Sequence, residues 1–232
     1  MTIRFDNSYS KLPERFFVKQ APVPVSRPAL IRANRQLAEL LGIDPAWLES
    51  AEGVDVIAGN RVPDGADPMA TVYAGHQFGS WNPRLGDGRA ILLGEVIGND
   101  GERYDIQLKG SGLTPFSRQG DGRAPLGPVL REYIVSEAMA AFGIPTSRTL
   151  AAVTTGESVY REAPLDGGIL ARVAKSHIRI GTLQFFASVN DIDGLKILLD
   201  HVLERHYPDA VKSKNPVPAM FEQIMRRQAA LV

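Results

Sequence analysis

The sequence predicts an α+β fold in which short strands form an antiparallel sheet and helices follow it. Two β-type runs, Arg89–Gly98 and Tyr104–Gly110, are joined by Asn99-Asp100-Gly101, which is a hairpin signal. A long helical pattern comes next, between a proline at 128 and a glycine at 143. Beyond about residue 186, apolar residues recur at helical spacing. Strands therefore dominate the middle of the chain and helices its last part.

The composition is that of an ordinary globular protein without a strong electric field. The 232 residues include 26 basic and 26 acidic side chains, which gives no reason to expect nucleic acid as a partner. Cysteine is absent, which excludes disulfides and thiolate metal sites within the chain, and the four histidines lack metal-ligand spacing. No apolar segment of signal-peptide or membrane-spanning length is found, so we expect a cytoplasmic protein without a membrane partner.

The opening region predicts helices. Start signals at Ser26 and Pro28, leucines at helical spacing from Leu30 to Leu41, and Gly42 as a stop indicate one helix, and Asp44-Pro45 starts another. After a Gly/Asp/Pro-rich linker, Thr71–Gly75 is the first predicted strand.

The long helix over 127–143 is expected to bury an apolar stripe of Leu130, Ile134, Ala138 and Ala141 or Phe142. The runs TLAAVTTG and GGILARVA predict two further strands, and leucines and valines between 195 and 203 predict a helix. A last helix starts near Pro218, with Phe221, Ile224 and Met225 inward, and reaches Val232 without a stop signal. We therefore expect this sequence to be the amino-terminal portion of a longer, truncated fold.

The order of the elements is that of the amino-terminal lobe of a protein kinase: a glycine-rich turn, a lysine on the next strand, and a helix with a glutamate. On this layout the chain divides into a helical N-terminal extension (1–68), a kinase-like N-lobe with nucleotide-binding loops (69–185) and the start of a truncated helical C-lobe (186–232).

Strand alternation places Lys109 on the opposite face from Ile106 and Leu108, where an ammonium could reach a phosphate. Glu132, early in the following helix, is the candidate partner that would hold it, and Glu137 is the other possibility. The alternative is that Lys109 is a solvated strand lysine and Glu132 a surface residue.

The pentapeptide GDGRA occurs twice, at 86–90 and at 120–124. Glycines of the first copy could let backbone N–H groups approach phosphate oxygens, with Arg89 as an additional donor. Asp121 and Gly122 of the second copy could contact the same nucleotide from a mobile loop. The copies lack the Gly-Lys-Ser/Thr of a Walker loop, and each could be only a tight turn.

Arg172 and Arg179 stand on either side of His177. If the preceding strand enters a cleft, the two guanidiniums would form an anion site; otherwise they are ordinary surface cations. The sequence alone leaves both interpretations open.

The segments YAGHQFGSWNPRLGDGRAILLGE, DIQLKGSGLTPFSRQGDGRAPLG, LREYIVSEAMAAFGIPTSRTL and RVAKSHIRIGTLQFF resemble the SelO family, also called YdiU. The resemblance runs in register from about Asn7 to the chain end. Family members are kinase-like protein adenylyltransferases, which transfer AMP from ATP to Ser, Thr or Tyr hydroxyls of proteins in the process called AMPylation. They bind ATP in a reversed orientation relative to kinases.

The resemblance implies ATP and Mg²⁺ as cofactors and substrate proteins as partners. It pairs Glu132 with the lysine, and it places ATP contacts at Gly86, Gly88, Arg89, Lys109, Asp121, Gly122, Arg172 and Arg179. The family's catalytic base and metal ligands belong to a segment resembling HGVMNTDN, which would follow Val232. We therefore assign no catalytic residue and no metal ligand within this chain, and we expect this portion alone to have little or no transferase activity.

Two alternatives to AMP transfer remain at this point. One is a phosphotransferase with kinase polarity, and the other is a nucleotide-binding pseudokinase that acts as a regulatory module. Label that enters protein from the γ-phosphate of ATP rather than from the α-phosphate would indicate the first alternative. ATP binding without turnover would indicate the second.

Overall fold

The structure is a computed structural model that describes residues 3–232. The first two residues of the predicted extension, Met1 and Thr2, lie outside the described residues. The chain forms two compact units, and neither is continuous in sequence. The first contains the residues up to Val72 together with Arg84–Ile178, and the second contains Tyr73–Pro83 together with Arg179–Val232. The three-part division at residues 68 and 185 stays a prediction.

The strands alternate with helices early in the chain and then dominate its middle. Their bounds are β1 (Phe17–Lys19), β2 (Ala29–Ala33), β3 (Met69–Thr71), β4 (Gly75–Gln77), β5 (Ser80–Asn82), β6 (Ala90–Ile97), β7 (Arg103–Lys109), β8 (Ala124–Pro125), β9 (Arg148–Tyr160) and β10 (Pro164–Ala174). The helices are α1 (Arg35–Leu40), α2 (Pro45–Leu48), α3 (Ala51–Ala58), α4 (Leu126–Ala141), α5 (Ile180–Ser188), α6 (Ile192–His206), α7 (Pro208–Val211) and α8 (Pro216–Leu231). Short 3-10 turns precede β1.

An antiparallel sheet of eight strands forms the first unit. Its order is β1-β3-β6-β7-β10-β9-β2, with β8 paired to β10. The mixed α and β content and the antiparallel pairing confirm the predicted fold class. The predicted hairpin at Asn99-Asp100-Gly101 is also confirmed, since β6 and β7 pair from Ala90 opposite Lys109 to Ile97 opposite Arg103.

The two faces of this sheet carry different kinds of helix. The main core fills one face, where α1 and α3 supply Leu37 and Ile57 and the strands supply Leu108, Ile169 and Val173. The other face carries α4 over a small cluster of Ala124, Val129, Ala152 and Leu170, with Tyr133 against it. Polar side chains of β7 and β10 share this second face with α4, so the sheet's apolar covering is incomplete there.

The predicted helix from Ser26 to Gly42 is wrong in its first half. Ala29–Ala33 instead forms β2, paired with β9, and α1 begins after Asn34, whose side chain accepts a hydrogen bond from Leu37 N at 3.1 Å. Tertiary pairing along β9 outweighs the helical spacing of the leucines in this segment. The strand predicted over Thr71–Gly75 is also shifted, because β3 ends at Thr71 and Gly75 begins β4.

The helix predicted over 127–143 is confirmed as α4, but its predicted apolar stripe is wrong. Ile134 is 65% exposed and Phe142 is 78% exposed, whereas Val129 and Ser136 are buried. The face turned toward the sheet combines Val129 and Tyr133 with Glu132 and Glu137, and the two glutamates form ion pairs with basic residues of the strands. These ion pairs, rather than apolar periodicity, determine the rotation of α4 about its axis.

The second unit combines the β4–β5 hairpin with helices α5 to α8. The stripe predicted for α6 is confirmed by the burial of Leu198, Val202 and Leu203. Helix α8 begins two residues before the predicted start, and it buries Met220, whereas Phe221 and Met225, predicted inward, are exposed. No helix within residues 3–232 is both long and apolar enough to cross a membrane.

Candidate functional site

Lys109 is the last residue of β7 and lies under helix α4. Its Nζ forms an ion pair with Glu132 Oε2, and each side chain is 22% exposed. Glu137, the other candidate partner, instead accepts two hydrogen bonds from Arg148 and one from Thr149 N, at 2.6–2.9 Å. Burial alone would raise the pKa of Glu137, but these hydrogen bonds outweigh it and hold the pKa below its usual value.

A second cation shares the carboxylate of Glu132. Arg172, on β10, places Nη1 3.4 Å from Glu132 Oε1. Burial lowers the pKa of Lys109, and the positive charges of Arg172 and Arg89 lower it further, whereas Glu132 opposes the shift. Arg172 and Arg89 therefore each lie close enough to Lys109 to repel its charge, and these residues form a local positive cluster in a chain whose net charge is zero.

Gln107 connects this cluster to the first GDGRA copy. Its side chain is fully buried, Oε1 accepts a hydrogen bond from Arg172 Nη2, and Nε2 donates to Asp87 Oδ2 at 3.3 Å. Sequence reasoning missed both Gln107 and Asp87 as members of the site. Strand alternation was the available signal, because it places Gln107 on the same face of β7 as Lys109.

The first GDGRA copy leads into β6 and is packed tightly. Asp87 is 2% exposed, and its Oδ2 accepts hydrogen bonds from Thr71 N at 3.1 Å and Thr71 Oγ1 at 2.5 Å. Gly86 has a φ of +57°, and a Cβ there would lie 2.2 Å from the Phe116 ring. Arg89 is exposed. The glycines of this copy let it pack against the turn around Phe116.

The second copy leads into the short strand β8. Gly122 has a φ of +70°, and a Cβ there would lie 2.1 Å from the backbone of Gly112. Arg123 donates to Val23 O at 3.1 Å and to Pro24 O at 3.0 Å. Asp121 is exposed and forms an ion pair with Arg161 at 2.8 Å.

Arg161 is a site residue that the sequence analysis missed. Besides Asp121, it donates to Arg123 O at 3.1 Å, so it holds the second loop at two points. The hydrogen bond from Arg161 lowers the pKa of Asp121, against the effect of burial. No spacing rule connects these positions, because β9 and β10 bring Arg161 to the loop from a distant part of the chain.

The two copies meet on either side of the segment that follows Lys109. Gly110 N donates to Arg89 O of the first copy at 2.7 Å, and Gly112 N donates to Gly122 O of the second at 3.1 Å.

The turn around Ser117 also joins the two copies, since Ser117 Oγ donates to Gly88 O at 2.6 Å and Ser117 O accepts from Gly120 N at 2.8 Å. Both glycine-rich loops are thus fixed around the end of β7.

Arg179 and His177 each have contacts within their own unit. Arg179 belongs to the second unit and directly precedes α5. Its guanidinium carbon lies 4.1 Å from the centre of the Tyr73 ring. His177, which stands between the arginines in sequence, is buried, and its backbone N donates to Asp105 Oδ2 at 2.7 Å. Burial lowers the pKa of His177.

This arrangement is suited to binding a polyanion. Lys109, Arg172 and Arg89 provide donors that match phosphate oxygens, and Glu132 keeps the first two together before any ligand arrives. Within residues 3–232 no group of three or more His, Asp and Glu side chains could hold a metal ion.

Comparison with known proteins identifies the family of this chain. The family model described as "Protein adenylyltransferase SelO" matches residues 1–232. This chain belongs to the SelO family. It is 63% identical to the "Protein nucleotidyltransferase YdiU" of Methylorubrum populi, over 98% of the chain and 46% of the relative. It is 62% identical to the protein of that name from Bradyrhizobium diazoefficiens, over 100% of the chain and 48% of the relative.

The SelO family is thus a family of nucleotidyltransferase enzymes by the names that its members carry. The chain spans about half the length of the curated relatives that it matches. The resemblance seen in the sequence from Asn7 onward is confirmed as family membership over the whole chain.

Proposed function

We propose that this chain supplies the ATP-binding part of a protein adenylyltransferase, which transfers AMP from ATP to Ser, Thr or Tyr hydroxyls of proteins. The observation that carries the proposal is that Lys109 and Arg172 both pair with Glu132, with Arg89 beside Lys109, at the end of a strand between two glycine-rich loops. Family membership and the relatives' names support nucleotidyl transfer as the reaction class.

A kinase-like fold is part of the proposal. An antiparallel sheet, a lysine on a central strand and an ion pair to a glutamate of the helix packed on that sheet are features of protein-kinase amino-terminal lobes. Here β7 supplies Lys109 and α4 supplies Glu132. The incomplete apolar covering of this sheet face leaves room for the polar groups that the site needs.

Each member of the site has a role in the proposal. Lys109 and Arg172 hold the β- and γ-phosphates, which leave as pyrophosphate, and Arg89 adds a donor from the exposed rim. Glu132 holds both inner cations in place. The remaining contacts to the nucleotide are proposed for Gly86, Gly88, Asp121, Gly122 and Arg179.

The proposed transfer forms a bond between the acceptor hydroxyl oxygen and the α-phosphorus. The bond from the α-phosphorus to the bridging oxygen breaks, and pyrophosphate leaves with its added negative charge. Cations bound to the leaving group stabilise that charge in the transition state. The hydroxyl proton passes to a base that we do not assign within this chain. Mg²⁺ remains part of the proposal as a cofactor bound together with ATP, and we assign it no ligand and no step within this chain.

The test uses the whole protein encoded by the gene, Mg²⁺, a mixed protein extract, and ATP labelled at either the α- or the γ-phosphate. We expect label to enter protein only from the α-phosphate. Lys109→Ala should reduce that labelling at least about a hundredfold, because it removes a charged donor from the leaving group. Lys175→Ala is the matched control, since Lys175 forms an exposed ion pair with Glu102 and should label normally.

Other results would contradict the proposal in distinct ways. Label from the γ-phosphate alone would establish kinase polarity. ATP binding without label from either position would indicate a pseudokinase. Normal labelling by Lys109→Ala would show that the cluster is not the ATP site.

A further inference from the structure

A chain of buried hydrogen bonds runs from the first GDGRA copy to Arg172. Asp87 Oδ2 accepts from Gln107 Nε2 at 3.3 Å, and Gln107 Oε1 accepts from Arg172 Nη2. Gln107 stands directly opposite Arg172 in the register of β7 and β10, so the sheet itself brings the two side chains together.

The direction of these hydrogen bonds is determined by chemistry. A guanidinium has only donors, so the atom of Gln107 that faces Arg172 must be its oxygen. The amide nitrogen is then turned to Asp87, whose Oδ2 also accepts from Thr71 N. The hydrogen bond to Asp87 therefore opposes a flip of the Gln107 side-chain amide. A flipped amide would direct its N–H groups toward the Arg172 guanidinium.

Arg172 depends on this arrangement for its own orientation. Its Nη2 is held by Gln107, its Nη1 lies 3.4 Å from Glu132, and its buried Nε has no hydrogen-bond partner among residues 3–232. Two acceptors thus fix the plane of the guanidinium beside Lys109. If Gln107 were removed, one longer contact to Glu132 would remain, and the guanidinium could rotate away.

We propose that Gln107 and Asp87 are positioning residues, which orient the Arg172 guanidinium beside Lys109 so that both bind the phosphates of the nucleotide. The inference rests on the proposed function for its ligand, ATP. It gives Asp87 a role that does not require contact with the nucleotide, since its carboxylate is buried behind Gln107.

A double-mutant cycle tests this inference. ATP affinity is measured by titration calorimetry for the wild-type chain, Gln107→Met, Arg172→Ala and the double variant. Methionine keeps the length of the side chain and removes both hydrogen bonds. We expect Gln107→Met to weaken ATP binding about tenfold in the wild-type background and less than twofold when Arg172 is already alanine. Equal losses in both backgrounds would overturn the inference, because Gln107 would then act independently of Arg172.

Glu95→Gln serves as the matched control, because Glu95 is a buried polar residue of β6 that contacts Ser8 rather than Arg172. We expect it to bind ATP as the wild type does. If it instead lost the same affinity as Gln107→Met, the effect would come from general loosening of the sheet, and the inference would fail.

A second measurement does not depend on ATP. Arginine side-chain N–H signals are recorded by nuclear magnetic resonance, and Arg172 is assigned from the signal lost in Arg172→Lys. We expect the Arg172 signals to show restricted rotation in the wild type and to lose it in Gln107→Met. If the wild type did not bind ATP, the proposed function of this chain would fail, and the arginine signals would still decide the inference. Unchanged signals in Gln107→Met would overturn it.

Discussion

In the first GDGRA copy the aspartate is buried and the arginine is exposed, whereas in the second copy the aspartate is exposed and the arginine is largely buried. Asp87 accepts hydrogen bonds inside the sheet, and Asp121 forms a surface ion pair with Arg161. Arg89 lies at the rim, and Arg123 donates to carbonyl groups of Val23 and Pro24.

The two copies also differ in which glycine has the positive φ, called here the constrained glycine. In the first copy the glycine with positive φ precedes the aspartate, and in the second it follows the aspartate. The same five residues therefore perform different tasks because their neighbours differ: the eight-residue strand β6 follows one copy, and the two-residue strand β8 follows the other. The motif supplies the same side chains in both copies, and the surrounding elements determine which of these side chains are buried and which are exposed.

Alanine at the constrained glycines should produce the largest change. Gly86→Ala and Gly122→Ala each place a Cβ in a left-handed backbone and within 2.2 Å of other atoms, the Phe116 ring for one and the Gly112 backbone for the other. We expect losses of about 3 kcal/mol or more in unfolding free energy, larger for Gly122, because backbone moves less easily than a side chain. Gly120→Ala, whose Cβ would lie 3.1 Å from Ser117 O and whose φ is not positive, should cost less than about 1 kcal/mol. Denaturant unfolding measures all three.

Equal costs for Gly120→Ala and Gly122→Ala would break this part of the comparison. The two glycines would then tolerate alanine equally well, and the positive φ of Gly122 would make no difference to the unfolding free energy.

Alanine at the aspartates should separate the copies by a smaller amount. Asp87→Ala leaves Thr71 N and Gln107 without their buried acceptor, which should cost about 2–3 kcal/mol. Asp121→Ala removes an exposed ion pair with Arg161 and should cost less than about 1 kcal/mol. Thermal and denaturant unfolding measure both, and a larger loss for Asp121→Ala would reverse the assignment of buried and exposed roles.

Alanine at the arginines should give the smallest change in stability. Arg123→Ala loses two charge-assisted hydrogen bonds to the amino-terminal segment, about 1–2 kcal/mol. Arg89→Ala should leave the unfolding free energy within about 0.5 kcal/mol and weaken ATP binding severalfold. Parallel measurements of stability and ATP affinity check this reversal, and weaker ATP binding by Arg123→Ala alone would contradict it.

Local sequence signals were sufficient for much of this fold. The β6–β7 hairpin was readable from Asn99-Asp100-Gly101, and α4 from its proline and glycine boundaries. The rotation of α4 was not readable, because it follows from ion pairs with strands that lie elsewhere in the sequence. Strand β2 was missed for the same reason, since its identity depends on pairing with β9.

The site residues also divide into those that local sequence signals indicate and those that depend on contacts between distant parts of the chain. Lys109 and Glu132 could be selected from strand alternation and helix position, and their ion pair is present. Gln107 could have been selected from the same strand alternation, but its contact with Arg172 could not be read from the sequence. Asp87 and Arg161 could not be selected, because each acts through a cross-strand or loop contact that no spacing rule encodes. The ATP contacts carried over from the family stay predictions until nucleotide binding is measured.

The discontinuity of the second unit has a consequence for how the chain acquires its structure. Ala74 N donates to Gly181 O at 2.8 Å, yet all of Arg84–Ile178 lies between these residues in the sequence. During synthesis the β4–β5 hairpin leaves the ribosome long before its helical partners, so the second unit is completed only after the sheet's last strands have been made. A chain released early would therefore leave Tyr73 and Ala74, which are buried in the complete structure, without Arg179 and Gly181, which contact them. We expect proteases to cleave such a chain near this segment.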